Sequence, residues 1–247
     1  VSIPAIAANR INMPATAEAI IASGQADMVQ MARPFLADSE WVNKAYHNQA
    51  NLINTCIGCN QACLDHTFSG ERASCLVNPL ACHESEYSIK PAKIPKKVIV
   101  VGAGVAGLSA AVTAASRGHQ VSLYEAKPFI GGQFNMAKVI PGKEEFFETI
   151  RYFREQIATL GIDLHLNTMV DKAFLDAQAA DHIIIATGVV PREIDIIGRA
   201  LPQVMSYSEL LTGAKVAGER VAVLGAGGIG FDVAEFLVHG ADVSTDI

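Results

Sequence analysis

The sequence predicts an α/β protein assembled from parallel strand–helix units, and three observations carry that expectation. Residues 1–50 read as strand, helix, strand, helix; four cysteines crowd between residues 56 and 75; and two glycine fingerprints, each behind an apolar strand and ahead of a helix, begin at Gly102 and Gly225. Half of the 247 residues are hydrophobic and 18% are charged, a balance that buries a core and excludes a disordered tail. No apolar run approaches the roughly 20 residues that a membrane span needs, so none is expected. The net charge of −6, without a polybasic block, argues against a nucleic-acid partner. There is no charged segment followed by an apolar one at the start, and five cysteines are an odd number. Both points favour a reducing, cytoplasmic setting and a metal or redox role for the thiols.

The elements follow in order. Residues 1–8 form a strand ending at Asn9-Arg10, and a helix containing Ala15, Ala17, Ala19, Ile20 and Ile21 runs to a capping Gly24. Residues 26–31 form a buried strand ending at Ala32-Arg33-Pro34, and Asp38-Ser39-Glu40 opens a helix with Trp41, Val42 and Ala45. Residues 51–96 hold the cysteines and a Pro- and Lys-bearing linker, residues 90–97. Beyond it come a strand at 97–101, a helix at 108–117 ended by Gly118, a strand at 120–124, a strand-sized apolar run at 183–186 and a strand at 220–224. The chain opens on an apolar strand without an initiator Met and closes on residues 241–247, a strand just beginning. A segment of a longer polypeptide, continuing on both sides, is the expectation.

The cysteines are spaced Cys56-x2-Cys59-x3-Cys63-x11-Cys75, with Gly58 and Gly70 letting the backbone fold around a centre. Four thiolates hold either tetrahedral zinc or an iron–sulfur cluster. Structural zinc usually takes two separated Cys-x2-Cys knuckles, whereas three bunched cysteines and a distant fourth suit a [4Fe-4S] cluster, which is the expected group. Unligated buried thiols are the bland alternative. Cys82 stands outside the pattern.

In Gly102-Ala103-Gly104-Val105-Ala106-Gly107, Gly102 permits the tight turn, Gly104 lets a pyrophosphate reach the backbone at a positive helix end, and Gly107 lets helix pack on strand. Glu125, at the end of the next strand, is placed to accept hydrogen bonds from the ribose of FAD or NAD; its bland reading is an exposed strand-end acid. Gly131-Gly132-Gln133 and the turn at Gly188 would let backbone lie against a flat cofactor. Gly225, Gly227 and Gly230 repeat the fingerprint. Two nucleotides are implied, and a flavin domain with an inserted pyridine-nucleotide domain accommodates them. Arg10 and Arg33 each follow a strand of a βα unit, where the last strands of a (β/α)8 barrel build a phosphate site. The alternative is a pair of surface arginines bonded to Asp27 or Asp38.

Taken together, Asn9-Arg10-Ile11-Asn12, Met31-Ala32-Arg33-Pro34-Phe35, Cys56-Ile57-Gly58-Cys59-Asn60-Gln61-Ala62-Cys63, Gly131-Gly132-Gln133-Phe134-Asn135 and Ile140-Pro141-Gly142-Lys143-Glu144-Glu145-Phe146 resemble the bacterial NADPH-dependent 2,4-dienoyl-CoA reductases. That family groups with old-yellow-enzyme-like NADH:flavin oxidoreductases and trimethylamine dehydrogenase, and the likeness covers essentially the whole chain. It implies the last two βα units of an FMN-binding barrel in residues 1–50, a [4Fe-4S] segment in 51–96, part of an FAD-binding domain in 97–215 and the start of an NAD(P)H-binding domain in 216–247. Arg10, Ala32, Arg33 and Gln61 would contact FMN. Cys56, Cys59, Cys63 and Cys75 would bind the cluster. Ala106, Glu125, Gln133, Lys143 and Val170 would join the fingerprint glycines at FAD, and Gly225, Gly227 and Gly230 would begin the NADPH site. The resemblance implies an electron relay from NADPH through FAD, cluster and FMN to a small-molecule substrate, a 2,4-dienoyl-CoA of unsaturated fatty-acid β-oxidation. The family's acid and base residues lie on earlier barrel strands, so no catalytic residue is assigned and the segment alone is expected to be inactive. The alternatives are an enoate reductase or amine dehydrogenase of the same family, or a zinc-stapled nucleotide-binding module without redox activity.

Overall fold

The computed structural model describes residues 2–193 and 195–239, so the strand expected at residues 241–247 lies outside the described residues. In the amino-terminal part, β1 (Ile6–Ala8), α1 (Pro14–Ala22), β2 (Met28–Gln30), α2 (Arg33–Ala37) and α3 (Trp41–Tyr46) follow one another. Strands β1 and β2 pair in parallel with Ile6 opposite Met28, as successive βα units require. Helix α1 starts on Pro14, whose missing N–H has no partner to lose there. It ends where Gly24 adopts a φ of 71° and the N–H groups of Gly24 and Gln25 return to Ile21 and Ile20 carbonyls.

The cysteine segment carries little regular structure. A π-turn at Gln61–Asp65 runs into the short α4 (His66–Phe68), and the linker expected before residue 97 is irregular. A larger α/β unit follows, with β3 (Lys97–Val101), α5 (Val105–Ser116), β4 (Gln120–Tyr124), α6 (Phe134–Ala137), α7 (Phe146–Thr159), β5 (Asp163–His165), α8 (Lys172–Asp176) and β6 (His182–Ile185). Its four strands are all parallel in the order β5-β4-β3-β6. The chain steps outward from β3 to β5 and then returns to the far side of β3, so a crevice opens beyond the carboxyl ends of β3 and β6.

Burial on both faces explains why β3 reads as a continuous apolar run. Val98 and Val100 face a core with Leu108 and Ala111 of α5 and Ile150 and Ile157 of α7, while Ile99 and Val101 face Val170, Phe174 and Leu175. Helix α7 was not foreseen in the sequence, although Ile150, Phe153 and Ile157 recur on one face at helical spacing.

Helices α9 (Tyr207–Leu211) and α10 (Gly228–His239) complete the described chain. Val233, Phe236 and Leu237 of α10 pack with Ile140, Leu210 and Leu211. The strand expected at residues 220–224 is not formed. No described segment pairs with it, and Val221, Val223 and Leu224 stand 48%, 40% and 71% exposed. A parallel strand exists through the ladder its neighbours supply, so an apolar sequence without neighbours acquires none. Among the described residues no helix is long and apolar enough to cross a membrane.

Candidate functional site

The first fingerprint closes the carboxyl end of β3. Gly102 takes a φ of 101° and donates its N–H to the Tyr124 carbonyl, and a Cβ there would meet the Ala186 carbonyl oxygen at 2.4 Å. The turn after β6 therefore lies directly against the glycine turn, at the point where strand order reverses. A Cβ on Gly107 would sit 1.8 Å from the Gly102 carbonyl oxygen, so only glycine brings α5 this close to β3. Gly104 differs: it caps α5 with an ordinary φ of −70° and a Cβ there would meet nothing within 4 Å. Gly104 thus leaves an open side at the start of a twelve-residue helix, whose N-terminal N–H groups and positive end would favour an anion.

Glu125 crosses the mouth of this turn, half-buried. Its two carboxylate oxygens accept from the backbone N–H groups of Ala103 at 2.8 Å and Lys127 at 2.9 Å. A carboxylate has lone pairs left after two such bonds, so it could accept from further hydroxyl groups. Gly131 donates its N–H to the Ala103 carbonyl at 2.7 Å, and a Cβ on Gly132 would meet the Gly104 Cα at 3.0 Å. That loop thus lies across the fingerprint. Gln133 ties it to the β6 side by donating to the Val189 carbonyl at 2.9 Å. Ala106 is exposed in the first turn of α5. Val170 packs against the β3 face. The ammonium of Lys143 bonds both carboxylate oxygens of Asp232 on α10 at 2.7 Å.

The second fingerprint repeats the local geometry without a strand before it. Gly225 takes a φ of 118°, a Cβ on Gly230 would lie 2.1 Å from the Gly225 carbonyl oxygen, and one on Gly227 would meet nothing within 4 Å.

The four spaced cysteines line one apolar cavity with Leu36, Ile57, Leu76 and Val77, and Arg33 stands at its edge. All four are half-buried, whereas Cys82 is exposed. Burial pushes the Cys56 and Cys75 thiols above their ordinary value, and in both cases neighbouring cysteines add to the rise. Left-handed backbone at Gly58 and Asn60 wraps the loop, and the π-turn carries Cys63. Asn12 donates to the Cys56 carbonyl at 3.2 Å, and Asn54 braces the other side through the Val77 carbonyl at 2.7 Å. No group of three or more His, Cys, Asp or Glu among the described residues is gathered tightly enough for a single metal ion. The four thiols share that one cavity.

Arg10 and Arg33 follow β1 and β2, but their partners are neither Asp27 nor Asp38. Arg10 pairs with Glu145 at 2.8 Å, and Arg33 donates to Asn60 at 2.7 Å and Asn9 at 2.9 Å. Asp27 instead accepts from the Ala5 N–H, and Asp38 pairs with Lys44. Asn9 and Arg10 both have positive φ, 80° and 57°, a strained turn of the kind that collects at functional sites. Ala32 and Gln61 are exposed nearby in the chain. Sequence reasoning missed Asn12, Glu145 and Arg151, which join the cysteine segment to α7. The helical apolar spacing of α7 was the available signal, but their partners, 98 and 133 residues away, leave none.

Residues 96–245 match the family described as pyridine nucleotide-disulphide oxidoreductase. The chain belongs to that family. Its residues 1–51 match a second one, the NADH:flavin oxidoreductase / NADH oxidase family. The combination marks the old-yellow-enzyme-like flavin oxidoreductases, the coarser part of the resemblance read from the sequence. An NADH oxidase of Thermoanaerobacter brockii is 40% identical over 99% of this chain and 39% of its own length. A cinnamate reductase of Clostridium sporogenes is 34% identical over 96% of this chain and 35% of its own. The structure of a 2-naphthoyl-CoA reductase with 2-naphthoyl-CoA superposes with a TM-score of 0.92 at 36% identity, over 96% of this chain and 36% of that one. The chain thus spans little more than a third of these relatives.

Proposed function

We propose that the complete protein is a flavin and iron–sulfur oxidoreductase that uses NADPH to reduce a carbon–carbon double bond conjugated with a thioester, of which 2,4-dienoyl-CoA is the representative. The observation that carries this reading is the joining of three sites in one chain: an open glycine turn at Gly104, a second at Gly227, and a four-cysteine cavity in a segment bonded to the amino-terminal βα units and to α7. The reductase that superposes here acts on a conjugated aryl thioester, and the clostridial relative on a conjugated carboxylate.

Cys56, Cys59, Cys63 and Cys75 would hold a [4Fe-4S] cluster, Arg10, Ala32, Arg33 and Gln61 would contact FMN, and Glu125 with the Gly102–Gly107 turn, Ala106, Gln133, Lys143 and Val170 would hold FAD. When bound, these groups supply hydride and single-electron chemistry that no side chain provides. The chain's own residues hold and shield. Leu36, Ile57, Leu76 and Val77 give the cysteine cavity an apolar lining. The N-terminus of α5 meets a pyrophosphate, and Glu125 fixes the adenosine end. Gly227 and Gly230 offer the same cradle to NADPH.

The test is anaerobic NADPH oxidation by the complete, flavin- and iron-replete protein. Oxidation that depends on 2,4-dienoyl-CoA and exceeds that with cinnamate or tertiary amines supports the substrate class. Turnover with amines or free enoates alone overturns it.

A further inference from the structure

Helix α7 belongs to the core of the larger α/β unit, yet one of its residues reaches out of it. Ile150 presses on the loop over the first fingerprint, where a Cβ on Gly131 would lie 2.5 Å from the Ile150 Cδ1. The next residue, Arg151, turns to the cysteine segment. Its Nε bonds Glu148 at 2.6 Å, its Nη1 donates to the Asn51 carbonyl, and its Nη2 donates to the Ile53 carbonyl at 2.7 Å and Thr55 Oγ1 at 3.2 Å. Ile53 and Thr55 are 0% and 1% exposed, and Cys56 follows directly. One guanidinium thus binds four acceptors, three of them on the five residues before the first spaced cysteine.

We propose that Arg151 is a positioning residue that fixes the cysteine centre at a set distance from the nucleotide turn, through a helix that touches both on consecutive residues. The proposal rests on the reading that electrons pass between these two sites. A planar fork with five donors holds this geometry, whereas a lysine ammonium satisfies part of it and a methionine none. The neighbouring Arg10–Glu145 pair and the Asn12 bond to the Cys56 carbonyl extend the same seam. Glu155, which accepts from Asn51 at 2.7 Å on the exposed side, is its peripheral member and serves as control.

The experiment uses the complete protein with R151M, R151K and E155A, rapidly mixed with NADPH without oxygen while flavin and iron–sulfur absorbances are followed separately. Iron and sulfide content and the electron paramagnetic resonance spectrum after dithionite reduction check that the centre is intact. Hydrogen exchange of residues 51–58 reports the local order without turnover. In R151M the first flavin bleaches at the wild-type rate, the onward step slows by about tenfold or more, and exchange at residues 51–58 rises. R151K falls between and E155A matches wild type. Should R151M lose iron, R151K decides. An onward rate unchanged in an iron-replete R151 variant, or both steps slowing equally, overturns the proposal alone. A wild-type protein without iron and sulfide overturns the functional reading, and the proposal with it.

Discussion

Two glycines three residues apart make opposite predictions. An alanine at Gly107 places its Cβ 1.8 Å from the Gly102 carbonyl oxygen and 3.0 Å from the carbonyl carbon, with Ala186 Cβ at 3.3 Å behind. The oxygen is backbone in a turn already fixed by a φ of 101°, so relief requires α5 to move away from β3 by about 1 Å. Overpacking of this kind costs about 1–3 kcal/mol, and a clash with backbone falls at or above the top of that range. An alanine at Gly104 meets no protein atom within 4 Å at an ordinary φ, so stability falls by about 1 kcal/mol or less, the difference between glycine and alanine at a helix cap. The same methyl would occupy the space proposed for a pyrophosphate, and a similar overpacking cost there would weaken FAD binding roughly 5- to 150-fold. Denaturant midpoints of the apoprotein and FAD titrations by flavin fluorescence read the two quantities. The reasoning fails if G107A is as stable as wild type, or if G104A binds FAD undiminished.

C56S, C59S, C63S and C75S each lose most of the bound iron, measured by metal analysis, whereas C82S keeps it because Cys82 lies outside the cavity. L108A, at a side chain 0% exposed in the α5–β3 core, costs about 2–5 kcal/mol by denaturation. Glu209, paired with Lys215 and accepting from the Ser206 N–H and hydroxyl, is held down to about 2 in the fold. A lowered carboxyl stabilises only while ionised, so the advantage of wild type over E209Q is complete above the ordinary value of 4.5 and shrinks as pH falls from there toward about 2. Thermal midpoints of the two proteins across that range would fail to converge if the cap were not ionic.

Local rules placed much of the fold. Strand β4 runs over residues 120–124 as the alternation of Val121, Leu123 and polar neighbours indicates, and Gly24 and Gly118 end α1 and α5 with positive φ. Helix α5 starts at Val105, three residues before expectation, because Gly104 already serves as its cap. Strand β5 escaped notice since three residues, Asp163, Leu164 and His165, make too short a pattern. The opposite error, a strand at residues 220–224, took an apolar sequence for a ladder that needs neighbours. In the site, spacing alone brought the four cysteines to one cavity and the glycines to their turns. The partners of Arg10, Lys143 and Arg151 were not legible, because each is chosen by packing between distant segments: Glu145, Asp232 and the carbonyls before Cys56.

The proposed multi-iron centre beside the proposed nucleotide turns is open to a direct test. The most direct measurement is the iron, acid-labile sulfide, zinc, FMN and FAD content of the complete protein purified without oxygen. The account predicts about four iron and four sulfide per chain with one of each flavin. Zinc without sulfide, or flavin in a protein free of iron, would contradict it.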